Sequence, residues 1–178
     1  MLQGFASIFG LAVSICIGLA FVVAAIDKLR HRLFLVGVIA NYRLLPEAMV
    51  ETTARLLPFI ELATGVALIL GEWRVAPVVA IALLLVFAAA MAINLKRGRR
   101  HIDCGCGQSV LRQQLSWALV VRNLLLVVLL APRPLTGGMP DLTGIGIAVM
   151  SGLSLFLVYL LFNTVIALAT QDRSHSHV

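Results

Sequence analysis

The chain has 178 residues, 61% of them hydrophobic and 12% charged, with a mean hydropathy of +1.02. A soluble domain is about half apolar and a quarter charged, so this balance excludes a water-soluble globular enzyme and indicates one compact integral membrane domain spanning residues 1–178. The net charge of +6 does not point to nucleic acid, because the basic residues cluster beside apolar spans, as in the positive-inside pattern.

A membrane crossing takes about 20 mainly apolar residues. The first predicted span covers 5–26 and closes on Asp27-Lys28, expected at the interface. It shows neither the basic n-region nor the small-residue cleavage site of a signal peptide. Cys16 falls near its middle, where packing is the expected role and a relay thiol within the bilayer the sharper one. Residues 33–40 are apolar but too short to cross, and Tyr42-Arg43-Leu44-Leu45-Pro46-Glu47 interrupts them. Pro46 disfavours helix at Leu45, so an interfacial helix or shallow re-entrant turn is predicted.

The second span, 56–71, is short and carries Pro58 and Glu61. The third, 75–95, is uninterrupted. The fourth, 115–131, contains Arg122-Asn123, and the fifth, 142–169, is long enough to tilt. All five are expected to be helices, because lipid offers backbone groups no other partner. The predicted fold is an all-α polytopic bundle with four core helices and a fifth packed outside. Tyr42, Trp73 and Trp117 read as interface aromatics, and His175-Ser176-His177 as a flexible tail.

With the N-terminus outside, the inner segments hold Lys28, Arg30, Arg32, Arg43, Arg55, Lys96, Arg97, Arg99, Arg100, Arg112 and Arg173, and the outer ones only Arg74 and Arg133. The bias favours N-out, C-in, with the 96–114 loop on the cytoplasmic side.

That loop contains Cys104-Gly105-Cys106. The thiolate is both nucleophile and metal ligand, and nearby cations favour it. Lys96, Arg97, Arg99 and Arg100 supply such a field, with Asp103 opposing it. Gly105 and Gly107 give the backbone the freedom to bring two sulfurs together. A disulfide across one residue closes a strained ring, which suits exchange more than structure. Two further readings stand: a soft-metal site (Cu, Zn or Hg) of Cys104, Cys106 and His101, or two inert, packed thiols.

Arg122 inside an apolar run is a functional or pairing residue by default. Glu61 is its expected partner across the bundle, and Asn123 and Asn94 are candidates for interhelical hydrogen bonds. The functional reading has Arg122 stabilising a thiolate, a quinone or an anion. No serine–histidine–acid set, phosphate loop or paired carboxylates appear, so any activity would be thiol–disulfide exchange.

The run Asp27-Lys28-Leu29, Tyr42-Arg43-Leu44-Leu45-Pro46, Leu57-Pro58 with Glu61 and Gly65, Asn94-Leu95-Lys96-Arg97-Gly98-Arg99, Ile102-Asp103-Cys104-Gly105-Cys106-Gly107 and Arg122-Asn123 resembles the methylamine utilisation MauE family, of the wider MauE/DoxX group of redox-associated membrane proteins. The resemblance covers roughly residues 5–130, and Gly107 stands where the family pattern often has Phe. It implies a bacterial inner-membrane protein that supports processing, transport or maturation, including disulfide formation, of the methylamine dehydrogenase small subunit. It also implies a thioredoxin-like, MauD-type partner, with Cys104 and Cys106 as the redox pair. No resident cofactor is expected, with quinone or a soft metal as the candidates if there is one. A non-catalytic scaffold for the maturation machinery is the second hypothesis, and soft-metal handling the third.

Overall fold

The computed structural model describes residues 2–72, 74–99, 102, 104, 114–136 and 138–175, with the side chains of 2, 3, 136 and 166–175 excepted. Among them the chain forms α1 (Leu2–Arg30), α2 (Arg32–Tyr42), α3 (Glu47–Ile69), α4 (Val75–Lys96), α5 (Trp117–Leu130), the single turn α6 (Arg133–Thr136) and α7 (Leu142–His175). Five helical segments are long and apolar enough to cross a membrane, α1, α3, α4, α7 and the run Trp117–Leu135 that joins α5 to α6, giving a multi-pass, all-helical bundle. The 11 residues of α2 rise about 16 Å, roughly half the hydrocarbon thickness, so α2 is too short to be a sixth crossing.

Local chemistry sets the ends. Arg43 adopts a left-handed conformation (φ 48°) and stops α2. Pro46, extended at ψ 146°, opens α3 at Glu47, since a proline costs a helix nothing before its first hydrogen bonds. The second span therefore begins nine residues before position 56. The polar run Glu51-Thr52-Thr53 with Arg55 hid that start from a reading based on apolarity. Pro58 lies inside the helix and is fully buried; it has no N–H to donate to Ala54. Gly98 (φ 76°) ends α4, with its N–H donating to the Leu95 carbonyl and the Arg99 N–H to that of Asn94, the paired closing bonds that a left-handed glycine permits. The Glu72 carboxylate accepts from the Arg74 and Ala76 backbone N–H groups and so caps α4.

α1 is the central column and packs chiefly on α3 and α7, while α4 packs on α5. Gly18 and Gly65 allow the first contact. A Cβ on either would lie 2.7 Å from the other's carbonyl oxygen, so the two backbones touch, the close approach that small residues provide between helices in lipid. Gly152 does the same for α7, where a Cβ would meet the Ala12 carbonyl at 2.8 Å. The core beside α1 includes Val13, Ile17, Phe21, Leu68, Ala76, Ala80, Leu84 and Leu130. α7 presents mostly exposed apolar residues, as a helix on the rim of the bundle does, and buries Gly144, Ala148, Gly152 and Asn163.

Candidate functional site

The cysteine loop is fastened at its base. The Leu115 N–H donates to the Ile102 carbonyl (3.1 Å) where the chain leaves and re-enters the bundle. The Tyr42 hydroxyl donates to the Cys104 carbonyl (3.1 Å), and the Arg99 guanidinium to the Asn41 carbonyl (3.3 Å). Ile102 and Cys104 pack on a cluster that includes Tyr42, Met91, Leu95, Leu115 and Leu119. Half-buried Cys104 is therefore held against the helices. Tyr42, expected at the membrane interface, is buried, its hydroxyl satisfied by a backbone acceptor and its ring packed in the cluster with Met91, Leu95 and Leu115. Trp117 is half exposed, and Trp73 lies outside the described residues.

Cys104 forms part of the wall of a cavity of about 290 Å³ shared by α1, α2, α3, α4, α5 and α7. Most of the wall is apolar, with Phe21, Leu84, Phe87 and Leu126 in it, but Lys28, Glu61, Arg122 and Asn123 also face the space. The Lys28 ammonium donates to Glu61 Oε1 in an ion pair whose side chains are 7% and 1% exposed, and it sits 5.0 Å from the Phe87 ring centre. Arg122 is 7% exposed. Its Nη1 donates to Asn163 Oδ1 (2.6 Å) and its Nη2 to Asn123 Oδ1 (3.4 Å), and its guanidinium lies 5.6 Å from the Tyr159 ring.

Two pairing expectations are thereby corrected. Glu61 pairs with Lys28, not Arg122, because its face of α3 turns toward α1. Lys28, expected at the interface with Asp27, has its ammonium inside the bundle, because α1 continues through it to Arg30. Asn94 is fully buried, yet its side-chain N–H donates to the Ala90 carbonyl of its own helix (3.1 Å), and among the described residues it makes no bond to another helix.

A family model described as "Methylamine utilisation protein MauE" matches residues 6–136. The chain belongs to the MauE family. The match runs from α1 through α6, and so includes the cysteine loop and every cavity element except α7. Methylamine utilization protein MauE of Paracoccus denitrificans is 43% identical over 155 residues, covering 84% of this chain and 82% of that protein. Its namesake in Methylophilus methylotrophus is 48% identical over 94 residues, covering 52% and 50%. That of Methylorubrum extorquens is 40% identical over 150 residues, covering 76% of each. No solved structure matches.

In this MauE-family chain the fold brings together Cys104, Glu61, Arg122 and Asn123 of the predicted site residues. Arg99 sits apart, tying the loop to α2. Cys106, Arg100, His101, Asp103 and Gly105 lie outside the described residues, so of the three residues of the soft-metal alternative only Cys104 is described. Buried Cys16 is not part of the cavity wall. The sequence reading missed Lys28, Asn163 and Tyr159. Lys28 carried a signal: it continues the stripe Ile17, Phe21, Ala24, Lys28, all facing the cavity at helical spacing. Tyr159 and Asn163, one turn apart on α7, carried none, because nothing in their local sequence says which helix they meet.

Chemically, this MauE-family bundle supplies a sulfur at the wall of an apolar space, cationic donors from α1 and α5, and a buried carboxylate. Exchange at a thiol needs a thiolate and access to a second sulfur, and Cys104 lies at the boundary between the loop and the cavity.

Proposed function

We propose that the chain is a membrane thiol–disulfide relay that supports maturation of the methylamine dehydrogenase small subunit in methylamine utilisation, with Cys104 and Cys106 as the exchanging pair. One observation carries the reading. The loop is clasped at the Cys104 carbonyl, so that this residue lines a cavity also reached by Lys28 and Arg122. A purely structural cysteine has no need of that placement. Family membership supports the methylamine context through the names of the relatives.

Exchange proceeds by thiolate attack through a mixed disulfide. The pair takes electrons from, or returns them to, a thioredoxin-like, MauD-type partner that serves the exported subunit. The site is the bacterial cytoplasmic membrane, with the N-terminus outside and the cysteine loop and C-terminus inside; five crossings fit that charge-based orientation. The experiment is to express Cys104→Ser and Cys106→Ser singly and resolve membranes on non-reducing gels. The relay predicts that one of the two accumulates a disulfide-linked complex that dithiothreitol releases. If neither traps a partner and both support maturation at the wild-type level, the chain acts as a scaffold and the relay fails.

A further inference from the structure

We infer that the cavity among α1, α2, α3, α4, α5 and α7 is a binding site for a lipid-soluble quinone, the electron acceptor of the Cys104–Cys106 pair. The inference rests on the relay reading and adds its terminal oxidant. Glu61 Oε2 is buried, faces this space and has no hydrogen-bond partner among the described residues, while Oε1 accepts from Lys28. A buried carboxylate oxygen without a partner costs free energy, so the site calls for a ligand that donates a hydrogen. A water would satisfy that oxygen, but one water takes up only about 30 Å³ of a cavity of about 290 Å³ with a mostly apolar wall. An acyl chain fills the apolar space and leaves Glu61 unanswered. A quinol does both, its ring against Phe87 and Leu126 and one hydroxyl on Glu61. In the oxidised form its carbonyl accepts from the Arg122 guanidinium, which faces the same space.

Access fits a ligand dissolved in the bilayer. Val86, 62% exposed on the outside of α4, belongs to the cavity wall, as does Leu45, 38% exposed, so the space reaches the lipid-facing surface. The volume is near the lower end of small-molecule sites, enough for a headgroup while an isoprenoid tail stays in lipid.

The reaction balances. Oxidation of Cys104 and Cys106 breaks two S–H bonds, forms one S–S bond and releases two electrons and two protons. The quinone takes both electrons, and its two carbonyl oxygens take both protons, giving quinol. The pair, now a disulfide, accepts electrons from the partner's thiols. Because the acceptor moves within the bilayer, the step can occur with the loop on either side of the membrane.

The test uses the full chain, reduced, in lipid nanodiscs with decylubiquinone as probe. Saturable binding of one quinone per chain is expected, with one quinol formed for every two thiols lost. Ala24→Phe, which fills the cavity from α1, is expected to weaken binding by about tenfold or more. Glu61→Gln is expected to raise the KM for the quinone more than it lowers kcat. A cooperative melting transition on each variant guards against misfolding. The inference is overturned if the wild-type chain binds no quinone while still forming mixed disulfides with its thioredoxin-like partner, an outcome that leaves the relay standing. It is overturned equally if an ordinary phospholipid displaces the probe on equal terms, or if Ala24→Phe binds as wild type does. Failure to form mixed disulfides removes the relay, and the quinone's role as acceptor with it.

Discussion

Replacing Lys28 with methionine removes the counter-charge of a carboxylate that the bundle hides almost completely: Glu61 is 0% exposed and Lys28 7%. Removing one partner of a buried ion pair costs about 3–5 kcal/mol, because the other charge stays buried without compensation. Loss of the ammonium from above the Phe87 ring adds about 0.5–2 kcal/mol. Methionine keeps most of the packing volume, so the cavity term is small. Lys28→Met should therefore lower the folded-to-unfolded ratio by about three to five orders of magnitude. The double variant Lys28→Met/Glu61→Gln removes both charges and should recover most of that loss, since a buried pair is often no more stabilising than neutral residues of similar size. Equilibrium unfolding in mixed micelles, followed by tryptophan fluorescence, measures all three proteins, with Lys96→Met at an exposed position as the control. The reasoning is refuted if Lys28→Met is no less stable than Lys96→Met, or if the double variant is no more stable than Lys28→Met.

Gly18→Ala and Gly65→Ala should each destabilise by about 1–3 kcal/mol, since each new Cβ meets a carbonyl oxygen at 2.7 Å. Gly37→Ala, where a Cβ meets nothing within 4 Å, should stabilise α2 by about 0.5–1 kcal/mol; the same unfolding assay reads all three. Tyr42→Phe removes the hydroxyl that holds the Cys104 carbonyl, costing about 0.5–1.5 kcal/mol, and should speed alkylation of Cys104 by maleimide in a Cys16→Ala/Cys106→Ser background. Asn163→Leu takes away the acceptor of Arg122 Nη1 and should cost about 1.5–3 kcal/mol, the range for hydrogen bonds to charged groups, measured by thermal unfolding in detergent.

The spans were legible because a long apolar run in lipid has helix as its only well-satisfied backbone. Thus 75–95 and 115–131 lie within a residue or two of α4 and α5. The start of α3 was hidden because Glu51 and Arg55 pair with each other on an exposed face and read as loop by composition. That Arg122 turns inward was also legible, from the cost of a guanidinium in hydrocarbon. Its partners were not, because the direction in which Glu61 points depends on how α3 rotates against α1, and the backbone contact of Gly18 with Gly65 sets that rotation. The partner of Tyr42 was hidden for a related reason: it is a carbonyl on a loop more than sixty residues further along the chain.

The most direct measurement is the disulfide content and activity of methylamine dehydrogenase in cells whose only copy of this chain carries Cys104→Ser and Cys106→Ser. The account predicts that the small subunit fails to mature although the variant reaches the membrane in normal amount. Enzyme with wild-type disulfide content and activity in those cells would contradict it.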